Sequence, residues 1–409
     1  MIIHLFNSSI VSGPETLVLP ALLKLGEPVH IVFLSETRLL SESKGPVQYA
    51  QSLGHTVHEV AVRGRFDRKA FHKLRALLDE LKPDIVHAHD VKASLYLLQA
   101  KKTKPHFLPL IVSTHHGASY RKGKIRLYEE IYVRLVFPKF DLALAVCKVD
   151  QESIIRRGVP PDKVKLHLNG TDRMRVDAKD RPALQIKIRE RWRENYSSLT
   201  DVHTSMPNDA IFLGAVARLS PEKRHDRMLT LIHELKKSRG EKKKTILLCF
   251  GIGPEEERLK KLAHSLGIED LVFWMGYSKT ISQEMAGLDL ILCLSDGEGI
   301  PINLIEAGWA GTPVLATEVG GIPDLIGTRA TTPVGILVQK SDTDQAIAKK
   351  VREVLDDAKN LTELGLAFQN RVSSEFSESA WLNRLREIYA DLKAIQPDTH
   401  HNQTGGIAH

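Results

Sequence analysis

Two glutamates, Glu298 and Glu306, stand with seven residues between them in SDGEGIPINLIEAGWAGTPVLATEVGGIPDLI, Ser295 to Ile326. A carboxylate is an acceptor-only group with two oxygens, suited to reading paired sugar hydroxyls. Glu298 falls in the loop DGEGIP, after the apolar run LDLILCL. Glu306 falls about one turn into a helix expected to begin near Pro301 or Ile302, since proline is favourable in a first helical turn. The free amides of such a helix start favour an anionic or hydroxyl-rich ligand. Earlier, ARLSPEKRHD places Arg218 at a strand end and Lys223 past Pro221. Arginine supplies a planar fork and lysine a compact charge, a pairing that can clamp a diphosphate. Each set alone also fits a surface turn with solvated charges.

Other segments are less specific. CFGIGPEEERL links a strand to a helix through Gly251 and Gly253. It lacks the third glycine of a dinucleotide fingerprint and fits a tight turn as well as a ligand contact. Gly320 and Gly321 in EVGGIPDLI follow another apolar run. In the first half, NSSIVSGPETLVLPALL puts Ser12 and Gly13 ahead of a helix. DIVHAHDVKAS puts His87, His89 and Asp90 at a strand end, and IVSTHHGAS puts His115, His116 and Gly117 at another. The HxH spacing hints at a metal but has no clear third ligand, so structural and substrate-contact readings stand beside it.

The elements that must position these residues read as two βα series. IIHLF, VHIVFL, DIVHAH, PLIVSTHH and DLALAV are short apolar runs. Helix-like segments such as ETLVLPALLKL, RKAFHKLRALLDEL and KVDQESIIRRG lie among them. Runs with little polar alternation are strands buried on both faces, hence a parallel sheet covered by helices. AIFLGAVARL, TILLCFG, LVFWMG, DLILCLS and PVLAT repeat the pattern with their own helices. The expected fold class is α/β, two doubly wound domains with ligands beyond the carboxyl ends of the strands, in a cleft between the domains. LNGTD, Asn169 to Asp172, reads as the turn where the first domain ends. The charged stretch from about Asp177 to Asp209 is expected to carry the connection. The chain divides as 1–175, a connection at 176–208, a second domain at 209–373, and a polar, disordered tail at 397–409.

The bulk numbers agree. At 409 residues, 42% hydrophobic and 26% charged, the chain is a globular protein too long for one ordinary core. The three cysteines, Cys147, Cys249 and Cys293, are far apart in apolar runs and form no disulfide or metal spacing, which fits a reducing cytosol. MIIHLFNSSIVSG lacks the features of a signal peptide, and no apolar run reaches the length of a membrane span. Residues 1–175 carry 27 Lys and Arg against 17 Asp and Glu, a charge of +10, and the remainder carries 30 against 33. That asymmetry points to an anionic partner of the first half, with RGRFDRK, KKTK and RKGKIR as candidate clusters. At 6% aromatic content there is no stacking platform for nucleic acid.

ARLSPEK, GIGPEEERL, the Glu298–Ile326 stretch and LNGTD together resemble the family 4, GT-B-fold, retaining glycosyltransferases (glycosyl transferases group 1). SGPETLVLPALLKLG resembles the family's first glycine loop and helix. HAHDVKAS and STHHG resemble its acceptor-side strand ends. FSESAWLNRLREIYADL resembles its last helix, which implies that 374–396 completes the first domain. The resemblance implies transfer of a sugar, with retention, from a UDP- or GDP-type nucleotide sugar. Arg218 and Lys223 would hold the donor diphosphate and stabilise the leaving charge. Glu306 would bind the ribose and Glu298 the donor sugar, with help from the amides of Gly299, Ile300, Pro301, Ile302 and Asn303; Pro301 lends only its place in that loop, having no N–H. Gly13 and Gly251 would let the backbone approach the donor. His116 would meet the sugar near the reacting carbon, with His115 the alternative, and His89 would stand on the acceptor side. No cofactor or metal is implied, because the Arg/Lys pair takes that place. The acceptor would be a lipid-linked or cell-surface glycan precursor, as in polysaccharide or lipopolysaccharide assembly, met at the inner face of the membrane. The chain departs from the pattern at the single Gly13 before Pro14, at Gly308 and Trp309 in EAGWAG, and at Cys147. A sugar-nucleotide epimerase, a phosphorylase and a non-catalytic sugar-nucleotide-binding protein are the alternatives weighed.

Overall fold

The computed structural model describes residues 1–8, 11, 13–36, 44–64, 66–101, 109–115, 124–172, 175–177, 179–199, 210–239, 244–328 and 333–395. They divide into two compact units. The first is Met1–Asn169 with the segment from Glu378, and the second is Gly170–Ser377.

The first unit alternates β1 (Ile2–Phe6), α1 (Gly13–Leu22), β2 (Val29–Glu36), α2 (Lys44–Ser52), β3 (Thr56–Val62), α3 (Arg68–Leu81), β4 (Ile85–Ala88), α4 (Val91–Lys101), β5 (Leu110–His115), α5 (Lys124–Leu135), β6 (Leu142–Ala145), α6 (Lys148–Arg156) and β7 (Val164–Leu166). Its seven strands pair in parallel in the order β3-β2-β1-β4-β5-β6-β7. β1, β4, β5 and β6 are buried throughout, whereas the edge strand β3 is largely open, as a sheet covered by helices requires. α3 shows why a helix forms. Ala70, Leu74 and Leu78 recur every four residues on its buried face. Asp67 caps it by accepting from the Lys69 and Ala70 amides.

The second unit contains α7 (Arg181–Leu199), β8 (Ile211–Val216), α8 (His225–Arg239), β9 (Thr245–Phe250), α9 (Glu256–Ser265), β10 (Val272–Gly276), α10 (Ile281–Glu284), β11 (Leu290–Cys293), α11 (Ile302–Trp309), β12 (Val314–Thr317), α12 (Ile322–Ile326), β13 (Ile336–Val338), α13 (Asp344–Asp356) and α14 (Ala358–Glu375). Its six parallel strands run β10-β9-β8-β11-β12-β13. Leu213, Leu247, Leu290 and Leu315 lie in its core. In each sheet the order reverses once, between β1 and β4 and between β8 and β11. Such switch points are where doubly wound sheets leave room for a ligand.

α15 (Glu378–Ala394) closes the chain on the first unit. Tyr389 reaches His87, Trp381 packs at a tilt against His167, and Arg386 donates to Leu25 O. The stretch 176–208, expected as a connection, contains α7, which packs on the second unit. Trp192 and Ile188 are buried there, and Arg189 meets Asp289 at 2.6 Å. Gly287 makes the contact possible, since a Cβ on it would come within 2.7 Å of both Ile188 and Trp192. The division between units falls instead at 169/170 and 377/378. Ser12, His116, Gly117 and the expected tail 397–409 lie outside the described residues.

Candidate functional site

In the second unit, the loops after β8, β9, β11 and β12 are tied to one another by backbone bonds. Ala217 N and Leu219 N donate to Phe250 O and Ile252 O, Asp296 N donates to Glu222 O, and Gly321 N donates to Glu298 O and Gly299 O. The close run of 217–219 beside 251–253 explains two glycines. A Cβ at Gly251 would lie 2.0 Å from Ala217 O, and one at Gly253 would lie 2.2 Å from Leu219 O. Gly251 also has φ +139°, a conformation L side chains rarely adopt. Both therefore have a packing reason that stands whatever ligand lies nearby.

This lacing brings together two of the charged residues singled out by spacing, Lys223 and Glu298. A short 3-10 turn, Pro221–Lys223, and Arg224 at φ +54° lead into α8. They turn Lys223 so that Nζ lies 2.7 Å and 2.9 Å from the two oxygens of Glu298. The side chains are 24% and 9% exposed. Burial alone would pull the lysine down, but the Glu298 charge and its hydrogen bonds hold it above its ordinary range. Cys293, at the end of β11, has its Sγ 3.9 Å from Glu298 Oε1. Burial first, and the glutamate charge next, push its thiol up to about 12. Arg218 is exposed, and among the described residues no side chain holds its guanidinium. Beside them, Asp296 meets Arg224 at 3.3 Å and Lys340 at 3.0 Å. Those cations outweigh its burial and hold its carboxyl below the usual range.

α11 begins at Ile302, with Pro301 as N-cap and no side-chain cap. Its first amides have no partner within the helix. Ile300 and Pro301 are buried, while Gly299, Ile302 and Asn303 are half-buried. The Asn303 amide group donates to Val216 O at 2.5 Å, fixing α11 against the end of β8. Glu306 lies one turn further in and is 9% exposed.

The first unit places its candidates differently. Gly13 opens α1 beside Pro14. His89 is buried, stacks on Phe6 at 4.3 Å, and shares a 2.8 Å hydrogen bond from Nε2 to His4 Nδ1. His87 lies between the Tyr389 hydroxyl and Thr114 Oγ1, each at 2.6 Å. The nitrogens of His4, His87 and His89 come within 4.8 Å of one another. Sequence reading saw the HxH pair but not His4, which β1–β4 pairing brings alongside. Burial, then the His55 and His167 charges, pull His4 down to about 3, and hydrogen bonds tie His4 to His89 and His87 to Tyr389 and Thr114. His115 is also buried, between Glu129 at 3.4 Å and Asp150 at 3.9 Å. His89 and His115, expected on the substrate side, are both buried, at 5% and 6% exposed.

Residues 201–370 match the family model described as glycosyl transferases group 1, and residues 17–175 match glycosyltransferase family 4. The chain is 27% identical over 290 residues to the amylovoran biosynthesis glycosyltransferase AmsK of Erwinia amylovora, covering 69% of this chain and 64% of the relative. It is 30% identical over 215 residues to a GDP-mannose-dependent alpha-(1-6)-phosphatidylinositol monomannoside mannosyltransferase of Mycobacterium tuberculosis, covering 50% of each. The chain spans between about a sixth and two thirds of the length of the curated relatives it matches. The fold matches the crystal structure of Anabaena HepE in complex with UDP, with TM-score 0.75 and 17% identity over 95% of this chain and 99% of that one.

Proposed function

We propose that this chain, which belongs to the family 4 glycosyltransferases of GT-B fold, moves a hexosyl unit from a UDP- or GDP-type nucleotide sugar to a lipid-linked or cell-surface glycan precursor, with retention. The observation that carries the reading is the Lys223–Glu298 pair at the β8/β11 switch point, with the start of α11 fixed against the end of β8 and exposed Arg218 just after that strand. Exposed Arg218 takes the diphosphate, and Lys223 joins it as negative charge grows on the leaving group. Glu298 reads hydroxyls of the donor sugar, the first amides of α11 assist, and buried Glu306 reads the ribose. Transfer breaks the bond from the anomeric carbon to the diphosphate oxygen. It forms a bond to the acceptor hydroxyl, whose proton leaves towards the diphosphate. No step is routed through a metal. Gly13 and His116 are assigned to the donor's sugar and phosphate from the first unit. His89 and His115 support that surface from within rather than touching a ligand. The acceptor class has support in the relatives named for amylovoran synthesis and for a phosphatidylinositol mannoside.

Alanine variants of Arg218, Lys223, Glu298 and Glu306, assayed with a panel of UDP- and GDP-sugars, test this reading. Arg218→Ala, Lys223→Ala and Glu298→Ala should each lower turnover by roughly a hundredfold or more, the scale of one lost transition-state contact. Glu306→Ala should act on donor KM. Full turnover in the first three variants rejects the assignment.

A further inference from the structure

Two of the charges proposed to meet the donor are, without it, each other's partner. Lys223 Nζ bonds both oxygens of Glu298, at 2.7 Å and 2.9 Å, and the carboxylate is 9% exposed. No other cation lies within 4 Å of it among the described residues. Separating such a pair leaves a poorly solvated charge without compensation. Arg218, by contrast, is exposed, and no ion pair or hydrogen bond of its side chain is found among the described residues. Of these two cations, a free nucleoside diphosphate therefore finds Arg218 available and Lys223 engaged. To recruit the second it must strip Lys223 from a carboxylate that also repels it. A nucleotide sugar carries hydroxyl donors next to its β-phosphate, and Glu298 can accept them. It can satisfy both halves of the pair together. Once the sugar has left, Glu298 has lost those donors and Lys223 is drawn back to it.

We propose that the Lys223–Glu298 ion pair is a selectivity and release device, closed against free nucleoside diphosphate, opened by the intact nucleotide sugar, and re-formed to expel the diphosphate product. This rests on the reading of the second unit as the donor site. It gives Glu298 an electrostatic role besides hydroxyl recognition, and it predicts that removing the negative charge improves binding of the wrong ligand.

Calorimetric titration with UDP, GDP, UDP-glucose and GDP-mannose tests it. For the diphosphate that the unaltered protein binds, Glu298→Gln should bind about tenfold more tightly, as expected for removing a nearby, partly screened like charge. Its preference for the corresponding nucleotide sugar should fall. Lys223→Gln should bind the diphosphate more weakly. The charge-balanced double variant K223Q/E298Q leaves no lone buried charge to threaten folding, and should bind it within about threefold of the unaltered protein, because a closed pair and a neutral pair look alike to an anion. Glu298→Gln binding the diphosphate no tighter, or the double variant losing tenfold or more, overturns the inference while leaving the donor site standing. No binding of any of the four ligands by the unaltered protein overturns the donor-site reading and the inference with it.

Discussion

His225, two residues after Lys223, is 2% exposed, and neither ring nitrogen has a hydrogen-bond partner among the described residues. Burial first, and the Lys223 charge next, pull it down to about 4, with Asp226 opposing. An unfolded histidine takes up its proton near 6.5. Between about pH 6.5 and 4 the unfolded chain thus holds a proton that the folded unit refuses. This contribution to stability is fully present above 6.5 and falls by about 1.4 kcal/mol per pH unit as the solution is acidified through that window. His225→Leu should remove it, so that the stability the second unit loses between pH 6.5 and 5 shrinks by about 2 kcal/mol. Scanning calorimetry at both pH values checks this, and an unchanged loss shows that the folded unit accepts the proton. Residue types and spacing were enough to single out Arg218, Lys223, Glu298 and Glu306. They gave no sign that Lys223 and Glu298 touch, because that contact depends on the 3-10 turn at Pro221–Lys223 and on Arg224 at positive φ. Nor could they show that His89 and His115 are buried, since a strand end leaves open which way its last side chain points.

Among elements, long periodic helices and unbroken apolar strands were the legible ones. RKAFHKLRALLDEL coincides with α3, and IIHLF with β1. α7 was not legible. Among its many charges, Ile188 and Trp192 are the buried side chains of its described residues, and polar ties such as Trp192 Nε1 to Glu284 at 2.6 Å add to its anchorage. The Gly308–Trp309 departure also has an explanation at this scale. α11 and α14 approach so closely that a Cβ at residue 308 would lie 2.4 Å from Val372 Cγ2. Trp309 Nε1 meanwhile holds Thr171 O at 2.7 Å, and Gln369 bonds the Trp309 and Val176 carbonyls. Gly308→Ala should destabilise the second unit by about 1–3 kcal/mol, because the β-branched valine cannot swing aside within a packed interface. Adding Val372→Ala should cost less in the Gly308→Ala background than alone. Chemical denaturation of the single and double variants measures that coupling, and strict additivity would show that the contact relaxes freely.

Over the whole molecule, charge separates by sequence half, +10 over residues 1–175 against −3 over the rest. No helix among the described residues is long and apolar enough to cross a membrane. Surface contact is one mode by which this chain can meet a membrane-borne acceptor. The loop from β3 into α3 is suited to it. Arg63, Arg68 and Lys69 are exposed around Phe66, itself 70% exposed, while the Asp67 carboxylate is occupied by the amides of Arg63, Lys69 and Ala70. An aromatic ring among cations matches the headgroup layer of an anionic bilayer, where each basic residue contributes about 1 kcal/mol. The full chain should therefore sediment with phosphatidylglycerol-containing vesicles at low salt and release at about 0.5 M, where the Debye length has shrunk to a few ångströms. R63Q/R68Q/K69Q should weaken that binding by about a hundredfold, the product of three such contributions, and Phe66→Ser should weaken the salt-resistant remainder. Failure of the unaltered chain to bind at low salt rejects surface contact. Undiminished binding by the triple variant moves the contact to another basic cluster of the first half.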